Sequence, residues 1–229
     1  MSDLYFQRGT LHDELERRKA SRTPLPQPSL VAMFHSISLA VRELHSASPP
    51  LAHRDIKVGL SLNLPPQFLY KNYFYMFQPH NILLGRDLTP VLMDFGSCSP
   101  ARVSVRNMRE AQYLQDTAAE RSSMCYRPPE LFQVSSSCDI DERTDIWSLG
   151  CLLYAMMCGH SPYDPVYERG DSVALAVQAG KIEFEEHGYS EDLAQMVTEM
   201  TNVDINFRIN IETVIERAES LLNQNINSI

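Results

Sequence analysis

The sequence predicts a mainly α-helical fold with a small β-hairpin, and three observations support this fold class. Apolar residues recur at intervals of three and four in several segments, which is the pattern of helices with one buried face. Two short apolar stretches, 81–84 and 90–93, flank a Gly-Arg-Asp turn at 85–87 and predict the hairpin. The 229-residue chain is 44% apolar and 21% charged, which is enough for one hydrophobic core.

Two helices are predicted before the hairpin. A turn at 9–10 leads into a short helix that ends near Arg18, and a proline-punctuated loop follows at 24–28. The second helix has Ser29 as its predicted cap and ends before the prolines at 49–50. The residues predicted to form its buried face are Leu30, Met33, Phe34, Ile37, Val41 and Leu44.

The chain after the hairpin is predicted to be polar and irregular from Asp94 to about Pro129, and largely helical beyond it. Glycines and a proline interrupt the uncharged run 146–163, and its apolar centre spans only 149–158. We therefore interpret this run as a buried helix and expect no transmembrane segment. The helical stretches predicted in this half lie at about 143–158, 171–179, 190–201 and 211–223.

Charge and cysteine content disfavour several functional classes. The chain has 20 Lys and Arg against 29 Asp and Glu, and its net charge of −9 gives no electrostatic basis for binding nucleic acid. The five cysteines form no C-x-x-C pair, and the N-terminus has no signal-peptide pattern. We expect reduced thiols, no disulfides and no zinc.

Four short motifs stand in order along the chain: His-Arg-Asp-Ile-Lys at 53–57, Asp-Phe-Gly at 94–96, Pro-Pro-Glu at 128–130 and Asp-Ile-Trp-Ser-Leu-Gly at 145–150. Each motif is weak alone, but all four are very unlikely to recur in this order by chance. Together they resemble the C-terminal lobe of a eukaryotic protein kinase. The resemblance implies transfer of the γ-phosphate of ATP, with Mg²⁺, to Ser or Thr of protein substrates.

The resemblance assigns roles to individual residues. Asp55 would orient the substrate hydroxyl and accept its proton, and Lys57 would contact the transferring phosphate, which is typical of serine/threonine kinases. Asp94 and Asn81 would hold Mg²⁺, and Leu83 would form the floor of the adenine pocket. The alternative to these catalytic roles is a purely structural one, since an isolated Asp-Phe-Gly is more often a turn than a metal site.

Further positions match architectural parts of the same lobe. The Ser123 hydroxyl would hydrogen-bond the catalytic Asp and Lys. Glu130 and Arg208 would form a buried ion pair, and Asp145 would brace the His-Arg-Asp backbone. The remaining motif residues, with structural or regulatory roles, are His53, Arg54, Phe95 and Gly96.

Within the superfamily, the sequence most resembles the Numb-associated kinase family, and in it the myristoylated and palmitoylated serine/threonine kinase branch. The similarity covers 4–57 and 79–222. The segments that carry it lie at 8–11, 91–97, 141–145 and 170–178. In this branch a helix follows the activation loop, and 112–120 would be its counterpart. We expect a cytoplasmic protein, although family members can associate with Golgi or other intracellular membranes through N-terminal acylation.

Two departures from the family pattern stand out. Asp55 and Asn81 are twenty-six residues apart instead of five, and deleting 58–78 restores the family spacing. That insertion contains six of the chain's twenty aromatic residues and only one charge, Lys71. Its first codon begins with GT because it encodes Val, and its last can end with AG because it encodes Gln. We interpret it as a retained intron, with a genuine insertion in the catalytic loop as the alternative.

The second departure concerns the nucleotide-covering lobe. The segment before the hinge-like 4–9 supplies no glycine-rich phosphate loop, no strand Lys and no helix Glu. We therefore expect 1–229 to form a kinase domain from the hinge onward, with its N-terminal lobe and acylated segment absent. Such a chain would have negligible activity as written. The alternative function is a non-catalytic kinase-lobe interaction module or decoy.

The intron hypothesis makes a prediction about transcripts. Sequencing RNA across codons 57–79 should detect messages that lack the sixty-three nucleotides of codons 58–78, joined in frame. Uniform retention of those nucleotides in every transcript would contradict the hypothesis and establish a translated insertion.

Overall fold

The computed structural model describes residues 9–58, 81–85, 87–184 and 188–226, within which short strands and helices alternate irregularly. The helices are α1 (Leu11–Ser21), α2 (Gln27–His45), α3 (Met108–Arg121), α4 (Pro129–Phe132), α5 (Arg143–Cys158), α6 (Asp164–Glu168), α7 (Val173–Ala179), α8 (Glu191–Met200) and α9 (Ile211–Ile226). The strands are β1 (Leu51–Ala52), β2 (Ile82–Leu84), β3 (Pro90–Leu92), β4 (Ser99–Pro100), β5 (Val103–Val105) and β6 (Cys138–Ile140).

The first two helices are confirmed, with corrections at their ends. Thr10 and Asp13 form a reciprocal capping box at the start of α1, and the helix continues to Ser21, beyond the predicted end at Arg18. The prediction of Ser29 as the cap of α2 is wrong, because the helix begins at Gln27 with a proline in its first turn. Proline suits that place because its fixed φ is already helical and it lacks an N–H that would go unpaired.

The predicted hairpin is confirmed as the antiparallel pair β2–β3. Leu83 faces Val91 across the ladder, and a bridge from Thr10 to Leu83 ties the start of the described chain to the same edge. The Leu84 amide also donates to the Gly9 carbonyl at 3.0 Å. The hairpin therefore places Asn81 and the chain that follows β3 next to each other.

The prediction that 94–129 is irregular is wrong, because the fourteen-residue helix α3 lies within it. Its sequence is polar, and only Ala111 and Ala118 are buried, so large apolar residues do not mark its face. The helix expected at 112–120 from the family resemblance lies inside α3 and is confirmed. Two small sheets that the sequence did not predict, β1–β4 and β5–β6, each have one strand within this segment.

Helix α5 is the buried centre of the fold. Almost every one of its side chains is buried, and it packs against α2 and α8, while α2 packs against α9. The predictions of helices near 143–158, 171–179, 190–201 and 211–223 are confirmed by α5, α7, α8 and α9. No helix among the described residues is long and apolar enough to cross a membrane. The insertion at 58–78, apart from Val58, lies outside the described residues.

Close packing at Gly150 gives a test of the α5–α8 contact. A Cβ at this position would lie 2.7 Å from the Thr201 methyl and 3.0 Å from the Met200 Cβ. We expect Gly150→Ala to lower the free energy of unfolding by about 1–2 kcal/mol, because overpacking outweighs the gain in helix propensity.

The matched control is the double variant Gly150→Ala/Thr201→Ser, which removes the clashing methyl and keeps the hydroxyl that donates to the Val197 carbonyl. Chemical denaturation should show that it recovers about half of the loss. A single variant as stable as the wild type would contradict this view of the contact.

Candidate active site

The buried carboxylate of Asp145, in the first turn of α5, holds the backbone of the His-Arg-Asp motif. Its Oδ2 accepts the His53 amide at 2.7 Å, and its Oδ1 accepts the Arg54 amide at 2.9 Å. The His45 Nε2 donates to Oδ2 at 3.1 Å. Burial by itself would raise the pKa of Asp145, but the hydrogen bonds from His45 and the two amides outweigh it and lower the pKa below its ordinary value.

His53 and Arg54 fix the direction of the chain beyond this anchor. The His53 Nε2 donates to the Met93 carbonyl at 3.0 Å, and its Nδ1 accepts the Asp55 amide at 3.4 Å. Arg54 has a left-handed φ of 68°, and its guanidinium donates to the carbonyls of Pro100 and Ala101. Burial lowers the pKa of Arg54, although nearby carboxylates such as Asp145 oppose that effect.

Asp55 and Lys57 meet Ser123 at the end of this loop. The Lys57 Nζ lies 2.8 Å from the Asp55 Oδ2 and 2.6 Å from the Ser123 Oγ. The Ser123 amide donates to the Asp55 Oδ1 at 2.8 Å. Among the described residues the Ser123 hydroxyl is hydrogen-bonded to Lys57, and Asp55 is contacted by the Ser123 amide instead of the predicted hydroxyl. Ser123 caps the 3-10 helix Met124–Tyr126, which leaves its amide available for Asp55.

Asn81 closes the cluster from the far side of the insertion. Its Nδ2 donates to the Asp55 carbonyl at 2.6 Å and to the Asp55 Oδ2 at 3.1 Å. The side chain is buried, and its Oδ1 has no hydrogen-bond partner among the described residues. A buried acceptor without a donor is costly in protein, so this oxygen is suited to a cation that binds beside it.

Asp94, Phe95 and Gly96 form a turn directly after β3. Asp94 has a left-handed φ of 60°, its Oδ1 accepts the Gly96 amide at 3.3 Å, and its carboxylate is exposed. The Phe95 ring packs against His53 at 5.6 Å between centroids, yet 53% of the residue is exposed. The turn therefore presents a carboxylate at the surface next to the His-Arg-Asp loop. Leu83, half-buried in β2, lies on the hairpin that carries Asn81.

Glu130 and Arg208 form a second, architectural link beneath the cluster. The Arg208 guanidinium donates to both Glu130 oxygens, at 2.7 and 2.9 Å, and to the carbonyls of Asn202 and Arg143. Its charge also lies 5.1 Å from the centre of the Trp147 ring. The pair joins α4 to the loop between α8 and α9.

The structure thus brings together Asp55, Lys57, Asn81 and Ser123. His45 also contributes to the site but was missed in the sequence reasoning. His45 lies at the end of α2, eight residues before His53, and this proximity in sequence was the only hint of a role. The spacing does not indicate that its side chain contacts Asp145. Carboxylate and amide oxygens are the donors that Mg²⁺ prefers, so Asn81 and Asp94 fit that ion chemically.

Comparisons with known proteins identify the family. The sequence pattern of the protein kinase domain matches residues 74–218. Serine/threonine-protein kinase 16 of Mus musculus and that of Homo sapiens are each 41% identical over 217 residues, which is 95% of this chain and 64% of theirs. A probable serine/threonine-protein kinase of Dictyostelium discoideum is 31% identical over 265 residues, covering 95% of this chain and 72% of its own. The chain thus spans less than two thirds of the mammalian relatives' length.

Because the Glu130–Arg208 pair is buried, we predict that replacing Glu130 lowers the free energy of unfolding much more than the same replacement at an exposed ion pair. We expect Glu130→Gln to lower the free energy of unfolding by roughly 3–5 kcal/mol, because it leaves the fully buried Arg208 charge without its carboxylate. The control is Glu142→Gln, which removes the carboxylate from Arg102, a side chain that is 68% exposed. That change should cost less than about 1 kcal/mol. Equal losses in chemical denaturation would contradict the prediction.

Proposed function

Since this chain belongs to the protein kinase family, we propose that it carries the phosphoryl-transfer centre of a serine/threonine protein kinase. The reaction transfers the γ-phosphate of ATP to a Ser or Thr hydroxyl of a protein substrate. The observation that supports this proposal most is the contact of Asp55 with Lys57, Asn81 and Ser123, four residues drawn from three separate parts of the chain. Such a transfer requires positioned charge and little covalent chemistry from the protein.

Asp55 is the residue that would accept the proton of the attacking hydroxyl. Both of its carboxylate oxygens are held, Oδ1 by the Ser123 amide and Oδ2 by Lys57 and Asn81, so its orientation is fixed before a substrate binds. The Lys57 ammonium lies 2.8 Å from the same carboxylate and can neutralise charge on the phosphoryl group as it transfers. Lys57, two residues after Asp55, supports the serine/threonine specificity.

ATP and Mg²⁺ are the proposed co-substrate and cofactor. Asn81, through an Oδ1 that has no hydrogen-bond partner among the described residues, and Asp94, through its exposed carboxylate, would hold the metal. A bound magnesium ion supplies charge neutralisation on the phosphates. Leu83 would contact the adenine from the hairpin.

We assign the protein to the Numb-associated kinase family and its myristoylated and palmitoylated branch. The motif residues at 8–11, 91–97, 141–145 and 170–178 support this assignment, as does α3 at the position of the branch's additional helix. A cytoplasmic location, with membrane association through acylation of the N-terminal region in the whole protein, is part of the same proposal.

The segment 58–78 is proposed to be foreign to the functional catalytic loop. The residues on its two sides support this, because the Asn81 Nδ2 reaches the Asp55 carbonyl although twenty-six positions separate them in sequence. Lengthening the loop from about five to twenty-six residues adds only about 1.5 kcal/mol of closure entropy. Closure entropy therefore does not by itself exclude a translated insertion at this position.

A second candidate function is a non-catalytic interaction module or decoy. Apolar side chains on the surface of 160–190 favour it, since Leu175 is 68% exposed and Tyr167 is 47% exposed. Nucleotide binding distinguishes this module from a kinase centre, because only the kinase centre requires Mg·ATP.

Thermal unfolding of purified 1–229 tests the two candidates. Mg·ATP at about ten times its dissociation constant should raise the melting temperature by roughly 3–6 °C, since ligand binding then adds about 1.4 kcal/mol. Asp94→Asn should abolish the shift, whereas the exposed control Asp116→Asn, on α3, should keep it. No shift in the wild type, together with a partner captured through 160–190, would contradict the kinase proposal and favour the module.

Phosphotransfer by 1–229 alone should be negligible. The 229 residues contain no G-x-G-x-x-G phosphate loop, and that loop shields the transfer from water in kinases. A radiolabelled ATP assay on a Ser/Thr peptide mixture measures this. Transfer that is lost in Asp94→Ala would refute the expected inactivity and support the kinase centre.

A further inference from the structure

A cavity of about 220 Å³ lies where the C-terminal ends of α1 and α5 meet the chain that leads into α8. It is remote from the catalytic cluster. Asp145, which anchors that cluster, and Cys158, which lines the cavity, both lie on α5. At 1.5 Å per residue they are about 20 Å apart along the helix. The cavity is therefore a separate feature of the fold.

The interior of the cavity is apolar. Leu15, Leu25, Met156 and Met157 are all buried and line it. The hydroxyl of Tyr189, another lining residue, donates to the Leu25 carbonyl at 2.9 Å. An apolar cavity of about 150 Å³ is large enough to hold benzene, and methionine sulfur favours aromatic neighbours. The space therefore suits one aromatic ring with a short chain attached.

The rim of the cavity is positive. Arg18, Lys19 and Arg22 line it, and none of the lining residues is acidic. Arg18 is paired with Glu14 at 2.7 Å, whereas Lys19 and Arg22 have no hydrogen-bond or ion-pair partner from their side chains within the described part of the chain. The C-terminal ends of α1 and α5 each contribute about half a negative charge. The positive charges of the three cations exceed the summed negative charge of the Glu14 carboxylate and the two helix ends. The rim of the cavity therefore has a net positive charge.

Arg22 occupies a backbone position that does not require its side chain. It ends α1 in the left-handed conformation, with φ 54° and ψ 37°. Glycine is the residue that adopts this conformation most easily, because it has no Cβ. The backbone of the helix end would accept glycine, so the guanidinium is not needed for the turn.

We propose that this cavity binds a small aromatic carboxylate. The ring occupies the space among Met156, Met157 and Leu25, and the carboxylate pairs with Lys19 and Arg22. The apolar volume selects the ring, and the cations of Lys19 and Arg22 select the negative charge. This site is independent of the proposed phosphoryl-transfer centre.

The probe for this site is 3-phenylpropanoate, added to the full chain with ¹³C-labelled methionine methyl groups. We expect saturable shifts of the Met156 and Met157 methyl signals in NMR titrations. The amine 3-phenylpropylamine, with the same ring and the opposite charge, and propanoate, which lacks the ring, should give none. Equal binding of the amine, or no saturable shift with 3-phenylpropanoate at millimolar concentration, would overturn the proposal.

Substitutions at the rim separate binding from folding. Lys19→Gln/Arg22→Gly should weaken 3-phenylpropanoate binding at least tenfold, while the melting temperature of Arg22→Gly without ligand stays the same or rises. The control Arg17→Gln removes a charge from the same helix but outside the cavity lining, and should leave the affinity unchanged. An unchanged affinity in the double variant, or an equal loss in Arg17→Gln, would overturn the assignment of the carboxylate to Lys19 and Arg22.

Discussion

The carboxylate of Asp145 is the group on which the rest of the site depends. It lies fully buried in the central helix α5 and accepts three hydrogen bonds, from His45 and from the amides of His53 and Arg54. A buried charge is tolerated only where donors replace the water that it has lost. The same donors set the backbone path of the loop. The hydrogen bonds that stabilise the buried carboxylate therefore also determine the direction of Asp55.

From this anchor, contacts pass outward to the surface. Asp55 is held by residues from two further segments, Asn81 after the insertion and Ser123 before the 3-10 helix. The Glu130–Arg208 pair fixes the segment beyond Ser123 to the loop between α8 and α9, and the ring of Trp147 contacts the guanidinium. Each link uses a charged group that is hydrogen-bonded to backbone, to a neutral polar side chain or to another charge, which gives the site a defined geometry at modest net stability.

Sequence patterns predicted the elements whose side chains enter the large core. Helices α2, α5, α8 and α9 have apolar faces, and the hairpin β2–β3 has its turn residues between two apolar stretches. Helix α3 escaped prediction from periodicity because it buries only alanines. The two small sheets escaped because each strand has two or three residues, and their pairing depends on chain brought together from a distance. The motifs predicted candidate site residues, but the structure was needed to show that Ser123 contacts Asp55 through its amide and that His45 hydrogen-bonds Asp145.

The separation of Asp145 from its partners has a consequence for biosynthesis. His53 precedes Asp145 by 92 residues, so the loop leaves the ribosome long before the carboxylate that will fix it. At about 5–20 residues per second, the delay is roughly 5–18 s. During that interval the amides of His53 and Arg54 cannot bond to Asp145 and need other acceptors, such as water. The His-Arg-Asp loop therefore reaches its final geometry only after Asp145 has been translated, whatever the order in which the neighbouring helices form.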